Sequence, residues 1–209
     1  MLFYKKLCRM GKMVYLCTPI IAIVMIYLND DIPGFDLEAA LPLLSDQRRE
    51  QTLKFKFEQG RKTCAMAYLL LCEGLRREYG IGEKPVFEYG EHGKPSLVGH
   101  PEIHFNLSHC RQAVICAVSD RPVGVDVESV REFHDSLVRY TMNDREVEQI
   151  ARSSDPRWEF VRLWTMKEAV LKLSGTGISD NIKDVLTGFR HSIETVENRQ
   201  RGYVYSVVY

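Results

Sequence analysis

The sequence predicts an α+β fold, because helical and strand-like segments follow one another in both halves of the chain. Between residues 61 and 79, apolar side chains recur at helical spacing. Between residues 103 and 107 they alternate with polar side chains, as in a half-buried strand. A second long helical segment, residues 156–173, is followed by apolar runs that predict closing strands. Helices packed on short antiparallel strands are therefore expected.

The N-terminal segment has two interpretations. Basic residues precede an apolar run over residues 14–28, as in a signal peptide. The run is short for a bilayer span, contains Pro19 and ends without a small-residue cleavage pattern. We therefore predict a buried first strand over residues 20–27, preceded by an extension of residues 1–13.

The rest of the first half alternates between turns and regular elements. Gly80 closes the long helix, and glycine and proline mark a tight turn at residues 90–95. We predict a loop with one short helix, two helices and a strand, over residues 31–44, 45–58, 61–79 and 86–89.

Three strands are predicted next, over residues 103–107, 113–118 and 123–128. Only four residues, including Pro122, separate the last two strands. This short separation predicts that they form an antiparallel hairpin.

Two helices and two strands complete the predicted order. Asn143 and Glu146 have the spacing of a capping box at the start of one helix. Pro156 is the first residue of the other. The closing strands are predicted at residues 187–192 and 203–208.

Charge and cysteine usage argue against several classes of protein. The chain has 28 basic and 28 acidic residues and no net charge. Proteins that bind duplex nucleic acid usually have a basic excess, so we expect neither a nucleic-acid nor a membrane partner. The six cysteines form no C-x-x-C pair. Reduced, buried thiols and a cytoplasmic location are therefore predicted.

A pair of carboxylates lies on the strand predicted at residues 123–128. Asp126 and Glu128 share one face of this strand, while Val125 and Val127 face the core. Neighbouring carboxylates near a core repel each other, and a hard cation such as Mg²⁺ relieves the repulsion. The alternative is a solvated face of an edge strand, which the pair alone would favour.

The helix over residues 156–173 supplies a third carboxylate. Glu168 and Lys172 lie one turn apart, and Trp164 lies one turn away on the same side. An ordinary surface ion pair would also account for Glu168 and Lys172. Beside the two strand carboxylates, however, Glu168 would complete a metal site and leave Lys172 free to meet a phosphate.

Ser108 and His109 follow one another at the end of a strand. Adjacent strand residues point to opposite faces, so these two are not each other's nucleophile and base. The sequence also has no G-x-S-x-G elbow. Phosphate recognition suits both side chains better.

In this order and spacing, the segments resemble the Sfp-type 4′-phosphopantetheinyl transferases. The family signature G-(I/V)-D-(I/V)-E is unbroken at residues 124–128, and W-(S/T/C)-x-K-E-(S/A)-x-x-K at residues 164–172. Two upstream segments, residues 93–95 and 105–109, match the family as well. The resemblance covers nearly the whole chain, from about residue 20 onward.

The resemblance implies two similar α+β subdomains related by a pseudo-twofold axis, with the active site in the cleft between them. We assign residues 14–120 to the first and residues 121–209 to the second. The implied Mg²⁺ ligands are Asp126, Glu128 and Glu168.

Contacts with coenzyme A are also implied by the resemblance. The turn at residues 93–95 would lie against the adenine, and Arg48 would clamp the 3′-phosphate. This chain has Gln51 where some relatives have a second basic residue, and Lys62 is the candidate replacement. The full set of implied contacts is Arg48, Lys62, Gly93, Lys94, Pro95, Ser108, His109 and Lys172.

The implied reaction transfers 4′-phosphopantetheine from coenzyme A to a serine of an apo acyl or peptidyl carrier protein and releases 3′,5′-ADP. A monomeric, Mg²⁺-dependent enzyme is expected, with Glu168 as general base and Lys172 stabilising the developing charge. Residues 130–142 are the predicted carrier-docking region. Two alternatives stay open: a non-catalytic module that binds coenzyme A or a carrier, and a different Mg²⁺-dependent phosphoryl enzyme. The sequence has no P-loop to support the latter.

Overall fold

Helices and antiparallel strands alternate in the computed structural model, which describes residues 12–16, 24–175 and 182–209. The predicted α+β class is therefore confirmed. Within the described residues, the strands form three sheets. No helix in this part of the chain is both long and apolar enough to cross a membrane.

The helices are α1 Leu37–Ala40, α2 Asp46–Lys54, α3 Glu58–Tyr79, α4 Asp135–Thr141, α5 Asp144–Arg152 and α6 Pro156–Ser174, with 3₁₀ turns at Leu41–Leu43 and Ile182–Asp184. The strands are β1 Lys12–Leu16, β2 Val24–Asn29, β3 Phe87–Tyr89, β4 Pro95–Leu97, β5 His104–His109, β6 Val114–Ser119, β7 Gly124–Ser129, β8 Ile193–Asn198 and β9 Tyr203–Val208.

The predicted first strand is present as β2, which pairs with β6. Residues 20–23 of that prediction, and residues 1–11 of the predicted extension, lie outside the described residues. β1 pairs with the other edge of β2, with Met13 opposite Tyr27. Lys12 and Met13, which the prediction assigns to the extension, are thus part of the sheet.

β6 is the centre of a four-stranded antiparallel sheet of order β1–β2–β6–β5. Cys116 and Val118 face helix α3 and pack in one core cluster with its Tyr68. Ile115 and Ala117 face the other way and pack against residues of β7 and β9. Because both faces of β6 are buried, its sequence is almost continuously apolar.

The predicted hairpin between the strands at residues 113–118 and 123–128 is wrong. β7 instead pairs with β9, in a second sheet of order β7–β9–β8. Both edges of β6 are already occupied, by β2 and by β5, so no edge of β6 is left for β7. The turn after Ser119 therefore carries the chain from one sheet to the other.

Only one of the two closing strands lies where the sequence predicts it. β9 confirms the strand predicted at residues 203–208. The strand predicted at residues 187–192 is wrong, because β8 begins only at Ile193. Thr187 N–H donates to Asp184 O, and Gly188 adopts a positive φ of 71°. These features form local turns, which use backbone groups that a strand would offer to its neighbours.

The helix ends follow the predicted capping signals. Asn143 Oδ1 accepts from Glu146 N–H at 3.0 Å, and the Glu146 carboxylate accepts from Asn143 N–H at 2.9 Å. This is the predicted capping box. Gly80 and Gly175 end α3 and α6 in the left-handed conformation that glycine adopts without strain.

Strands β5 and β7 lie side by side at the junction of the two larger sheets. Side chains of β5 connect the two strands, which belong to different sheets. Asn106 Oδ1 accepts from Val125 N–H at 3.1 Å, and Ser108 Oγ accepts from Val127 N–H at 3.2 Å. Alternate side chains of β5 thus take the place of the backbone carbonyls of a ladder. This seam brings Ser108 next to the predicted metal strand.

Candidate active site

The centre of the site lies where helix α6 crosses strand β7. Gly124 begins β7 directly against the helix, because a Cβ atom there would collide with the carbonyl oxygen of Ala169 and lie 2.7 Å from the amide nitrogen of Leu173. The glycine thus allows helix and strand to touch. Asp126 is consequently only 3% exposed, so the alternative of a solvated strand face is wrong for this residue.

Asp126, Lys172 and Ser108 form a closed hydrogen-bonded group. Lys172 Nζ lies 2.6 Å from Asp126 Oδ1 and 2.9 Å from Ser108 Oγ. The Ser108 hydroxyl donates to Asp126 Oδ1 at 2.8 Å and accepts from the backbone of β7. A hydroxyl has one donor and two acceptor positions, so Ser108 is fully used.

Two buried carboxylate oxygens in this region lack a hydrogen-bond partner among the described residues. They are Asp126 Oδ2 and Glu168 Oε1. Burial, and next the charge of Asp126, raise the pKa of Glu168 above its ordinary value, while Lys172 opposes the shift. Buried oxygens without partners destabilise a protein unless a ligand meets them.

Helix α6 also holds Glu128, through the side chain of Trp164. Trp164 Nε1 donates to Glu128 Oε1 at 3.4 Å. Burial and the charge of Asp126 raise the pKa of Glu128, and the Trp164 hydrogen bond lowers it. Across the residues that the structure describes, no three His, Cys, Asp or Glu side chains are already grouped as a metal site.

A cleft of about 270 Å³ opens beside this group. Its walls come from the turn between β3 and β4, from β5 and from the C-terminal half of α6. The predicted turn and helix residues therefore meet in one place, although about 75 residues separate them in the sequence. The lining residues are His92, Gly93, Lys94, Pro95, Asn106, Leu107, Glu168, Leu171, Lys172 and Gly175.

Lys94 joins the two walls of the cleft. Its Nζ donates to the carbonyl oxygen of Leu173 at 2.8 Å, at the end of α6. A lysine at this end of a helix also interacts favourably with the helix dipole. Burial lowers the pKa of Lys94. Gly175 leaves room for the lysine stem, because a Cβ atom there would lie 2.9 Å from Lys94 Cδ.

The other predicted phosphate contacts lie outside the lining of this cleft. Arg48 is buried; its guanidinium stacks 4.8 Å from the ring centre of Phe87 and donates to Cys64 Sγ. No carboxylate among the described residues pairs with it. Lys62 instead binds Glu58 and the carbonyl oxygen of Pro33.

His109 points to the exposed side of β5, opposite Ser108, as the strand alternation predicts. Partial desolvation, and next the charge of Lys172, lower its pKa.

Two residues of the helix motif hold α6 in place, a role that the sequence motifs did not predict. Lys167 is fully buried, and its Nζ lies 2.7 Å from Glu146 Oε2 and 3.0 Å from the carbonyl oxygen of Ile182. Thr165 Oγ1 forms a 2.9 Å hydrogen bond with Ser206 Oγ of β9. The position of a lysine and a threonine on an otherwise apolar helical face could have indicated this structural role from the sequence.

Comparisons with known proteins agree with this arrangement. A sequence model of the 4′-phosphopantetheinyl transferase superfamily matches residues 122–206, which include β7 and α6. The chain is 31% identical to 4′-phosphopantetheinyl transferase psf-1 of Bacillus pumilus over 77% of its own length and 70% of that protein. It is 27% identical to 4′-phosphopantetheinyl transferase Sfp of Bacillus subtilis over 74% of its own length and 70% of that protein. It is 32% identical to 4′-phosphopantetheinyl transferase HetI of Nostoc over 71% of its own length and 67% of that protein.

The fold, the carboxylate and lysine pattern and these relatives define an enzyme of the 4′-phosphopantetheinyl transferase superfamily. Within it, the chain belongs to the Sfp-type family, as the two sequence signatures predict.

Proposed function

We propose that the protein transfers 4′-phosphopantetheine from coenzyme A to a serine of an apo acyl or peptidyl carrier protein. The serine oxygen forms a bond to the β-phosphorus, the bond from that phosphorus to the bridging oxygen breaks, and 3′,5′-ADP leaves. The serine proton passes to Glu168, directly or through a water molecule. The supporting observation is a pair of buried carboxylate oxygens near Lys172, at the edge of a cleft, that have no hydrogen-bond partner among the described residues.

A divalent cation fits the residues that are present. Asp126 Oδ2 and Glu168 Oε1 are buried oxygen acceptors without partners among the described residues, and oxygen ligands suit Mg²⁺. We propose Asp126, Glu128 and Glu168 as the ligands. When bound, Mg²⁺ would neutralise and orient the pyrophosphate of coenzyme A. Titration with each cation would distinguish a preference for Mg²⁺ from one for Mn²⁺.

Glu168 is suited to accept a proton. Oε1 of its carboxylate is buried without a hydrogen-bond partner among the described residues, and the residue lines the cleft. Lys172, one helical turn further, would stabilise the charge that develops on the phosphates. His109 and Ser108 would complete the phosphate contacts, with Ser108 turning its hydroxyl hydrogen from Asp126 Oδ1 to a phosphate oxygen.

Adenine would lie on the turn formed by Gly93, Lys94 and Pro95. This turn lines the same cleft as Glu168 and Lys172, so one cleft offers surface for a base as well as for phosphates. Gly93 has a positive φ of 76°, which exposes the turn backbone.

Arg48 is the proposed clamp for the 3′-phosphate. A buried guanidinium that pairs with no carboxylate of the described residues is a suitable anion partner. Lys62 is the weaker candidate, because Glu58 and the Pro33 carbonyl already engage it. Arg48→Met should raise the KM for coenzyme A but not for dephospho-coenzyme A, which lacks the 3′-phosphate. An equal rise for both substrates would assign Arg48 a structural role only.

The carrier would dock near α4, within residues 130–142. Leu137 and Tyr140 of this helix are exposed, at 40% and 68%. An exposed apolar pair on the helix that follows the proposed metal strand in the sequence suits a helical protein partner. Exchange of both residues for serine should raise the KM for the carrier and leave that for coenzyme A unchanged.

We propose that residues 14–120 and residues 121–209 form two similar subdomains, related to each other by a pseudo-twofold axis. Each half has one long helix, α3 or α6, packed on an antiparallel sheet. A monomer in the cytoplasm stays a prediction, which light scattering and cell fractionation would check.

Mass spectrometry of the carrier protein tests the proposed reaction. The protein is incubated with coenzyme A, Mg²⁺ and a panel of apo fatty-acid, polyketide and nonribosomal-peptide carriers, which are then weighed. A phosphopantetheine adduct on a carrier serine supports the proposal and identifies the carrier. Tight coenzyme A binding without an adduct on any carrier would favour the non-catalytic module.

A further inference from the structure

Lys172 contacts Asp126, one of the three proposed metal ligands. Its ammonium lies 2.6 Å from Asp126 Oδ1, and its side chain is 28% exposed, whereas that of Asp126 is 5% exposed. Lys172 also contacts Ser108 and lines the cleft. The lysine therefore belongs both to the carboxylate group and to the space proposed for the phosphates.

The charges explain why the lysine is there. Glu128 lies on the same face of β7 as Asp126, and Glu168 lies on α6, one turn before Lys172. A buried carboxylate among like charges needs a counter-ion. Among the described residues, Lys172 is the cation that contacts Asp126 directly.

We propose that Lys172 is an exchangeable internal counter-ion, which neutralises Asp126 in the ligand-free enzyme and moves to the coenzyme A phosphates when a divalent cation takes over Asp126. This inference rests on the proposed function, since it assumes the same metal ligands. The movement needs only rotation about side-chain bonds, because Lys172 already borders the cleft.

A consequence is that the metal competes with Lys172 when coenzyme A is absent. Coenzyme A would give the displaced ammonium an anionic partner and thereby favour metal binding. Such coupling between two ligands typically amounts to about 5- to 150-fold in affinity.

The first experiment measures Mn²⁺ affinity by electron paramagnetic resonance at pH 8 without coenzyme A. Lys172→Met should bind Mn²⁺ about tenfold more tightly than the wild-type protein, as expected for release of a competing charge pair. Lys94→Met is the matched control, because it removes a positive charge from the same cleft but leaves Asp126 paired. Lys172→Arg, which keeps the charge, should behave like the wild type.

An equal or weaker affinity in Lys172→Met than in Lys94→Met would overturn the proposal. Thermal melts establish that both variants are folded. The wild-type protein gives a second, independent measurement, in which Lys172 is acetylated with an N-hydroxysuccinimide ester and quantified by peptide mass mapping. Mg²⁺ alone should increase labelling, because it frees the ammonium, and coenzyme A with Mg²⁺ should suppress it. Unchanged labelling on addition of Mg²⁺ would also contradict the exchange.

These measurements are separable from the test of function. A protein that modifies a carrier but shows no effect of Lys172→Met on Mn²⁺ affinity refutes the counter-ion alone. A protein that shows the Mn²⁺ effect but modifies no carrier refutes the transferase function alone.

Discussion

The ammonium of Lys167 lies 2.7 Å from Oε2 of Glu146, and both side chains are almost completely buried. Glu146 is also the capping-box residue of α5, and Lys167 donates to the carbonyl oxygens of Ile182 and Lys183. One ion pair thus connects α6 to the start of α5 and to the segment after residue 181. It fixes the helix that presents Glu168 to the cleft.

Lys167→Met should lower the free energy of unfolding by about 3–5 kcal/mol, because it leaves a buried carboxylate without its partner. Urea denaturation measures this change. Lys167→Met combined with Glu146→Gln should cost less than the sum of the single changes, since no charge is then left unpaired.

The pair Arg152 and Glu148 on α5 is a suitable control, because both side chains are largely exposed. Arg152→Met should change the free energy of unfolding by less than about 0.5 kcal/mol. A similar loss in both variants would show that burial of the Lys167 pair is unimportant.

Glu168→Gln should reduce the rate of carrier modification by about 10²- to 10⁴-fold, because the amide does not accept the serine proton. Its melting temperature should not fall, since Glu168 Oε1 has no hydrogen bond to lose within the described residues. Glu159→Gln, on the same helix but paired with Arg162 outside the cleft lining, should keep near wild-type activity. Comparable rates for the two variants would exclude Glu168 as the base.

Gly124→Ala should destabilise the protein by at least about 2 kcal/mol and reduce activity as well, because the added methyl group pushes α6 away from β7. Gly82→Ala provides the control: a Cβ atom there meets nothing within 4 Å. Its free energy of unfolding should change by less than about 1 kcal/mol. Denaturant midpoints with transfer assays measure both effects, and an active, stable Gly124→Ala would refute the close approach.

Cys72 should react slowly with thiol reagents at neutral pH. Burial raises the pKa of its thiol to about 11, so roughly one molecule in a thousand has the reactive thiolate at pH 8. Iodoacetamide labelling, read at the Cys72 peptide by mass spectrometry, should accelerate about tenfold per pH unit from pH 8 to 10. The same peptide in guanidinium should label rapidly at pH 8; fast labelling in the folded protein would contradict the burial.

Local signals in the sequence predicted the elements well, and their failures have identifiable causes. Gly80, Pro156 and the pair Asn143 and Glu146 act within a few residues of themselves, so the ends they predict are correct. The hairpin after β6 failed because strand pairing depends on which edges are free, and β2 occupies one of them from about 90 residues earlier.

The same contrast holds for the site. The family signatures predicted Asp126, Glu168 and Lys172 as site residues. The alternation of side chains along a strand predicted that Ser108 and His109 point to opposite faces. The pairing of Lys172 with Asp126, and the burial of Arg48 against Phe87, depend on how distant elements pack. A pattern read along one element does not contain that information.

The seam between β5 and β7 has a consequence for how this enzyme can change over evolutionary time. A backbone ladder forms with almost any sequence, so substitutions rarely move its strands. Here Asn106 and Ser108 supply the acceptors themselves. A substitution at either position removes an acceptor of this seam and can therefore shift β5 relative to β7, and with β7 the position of Asp126.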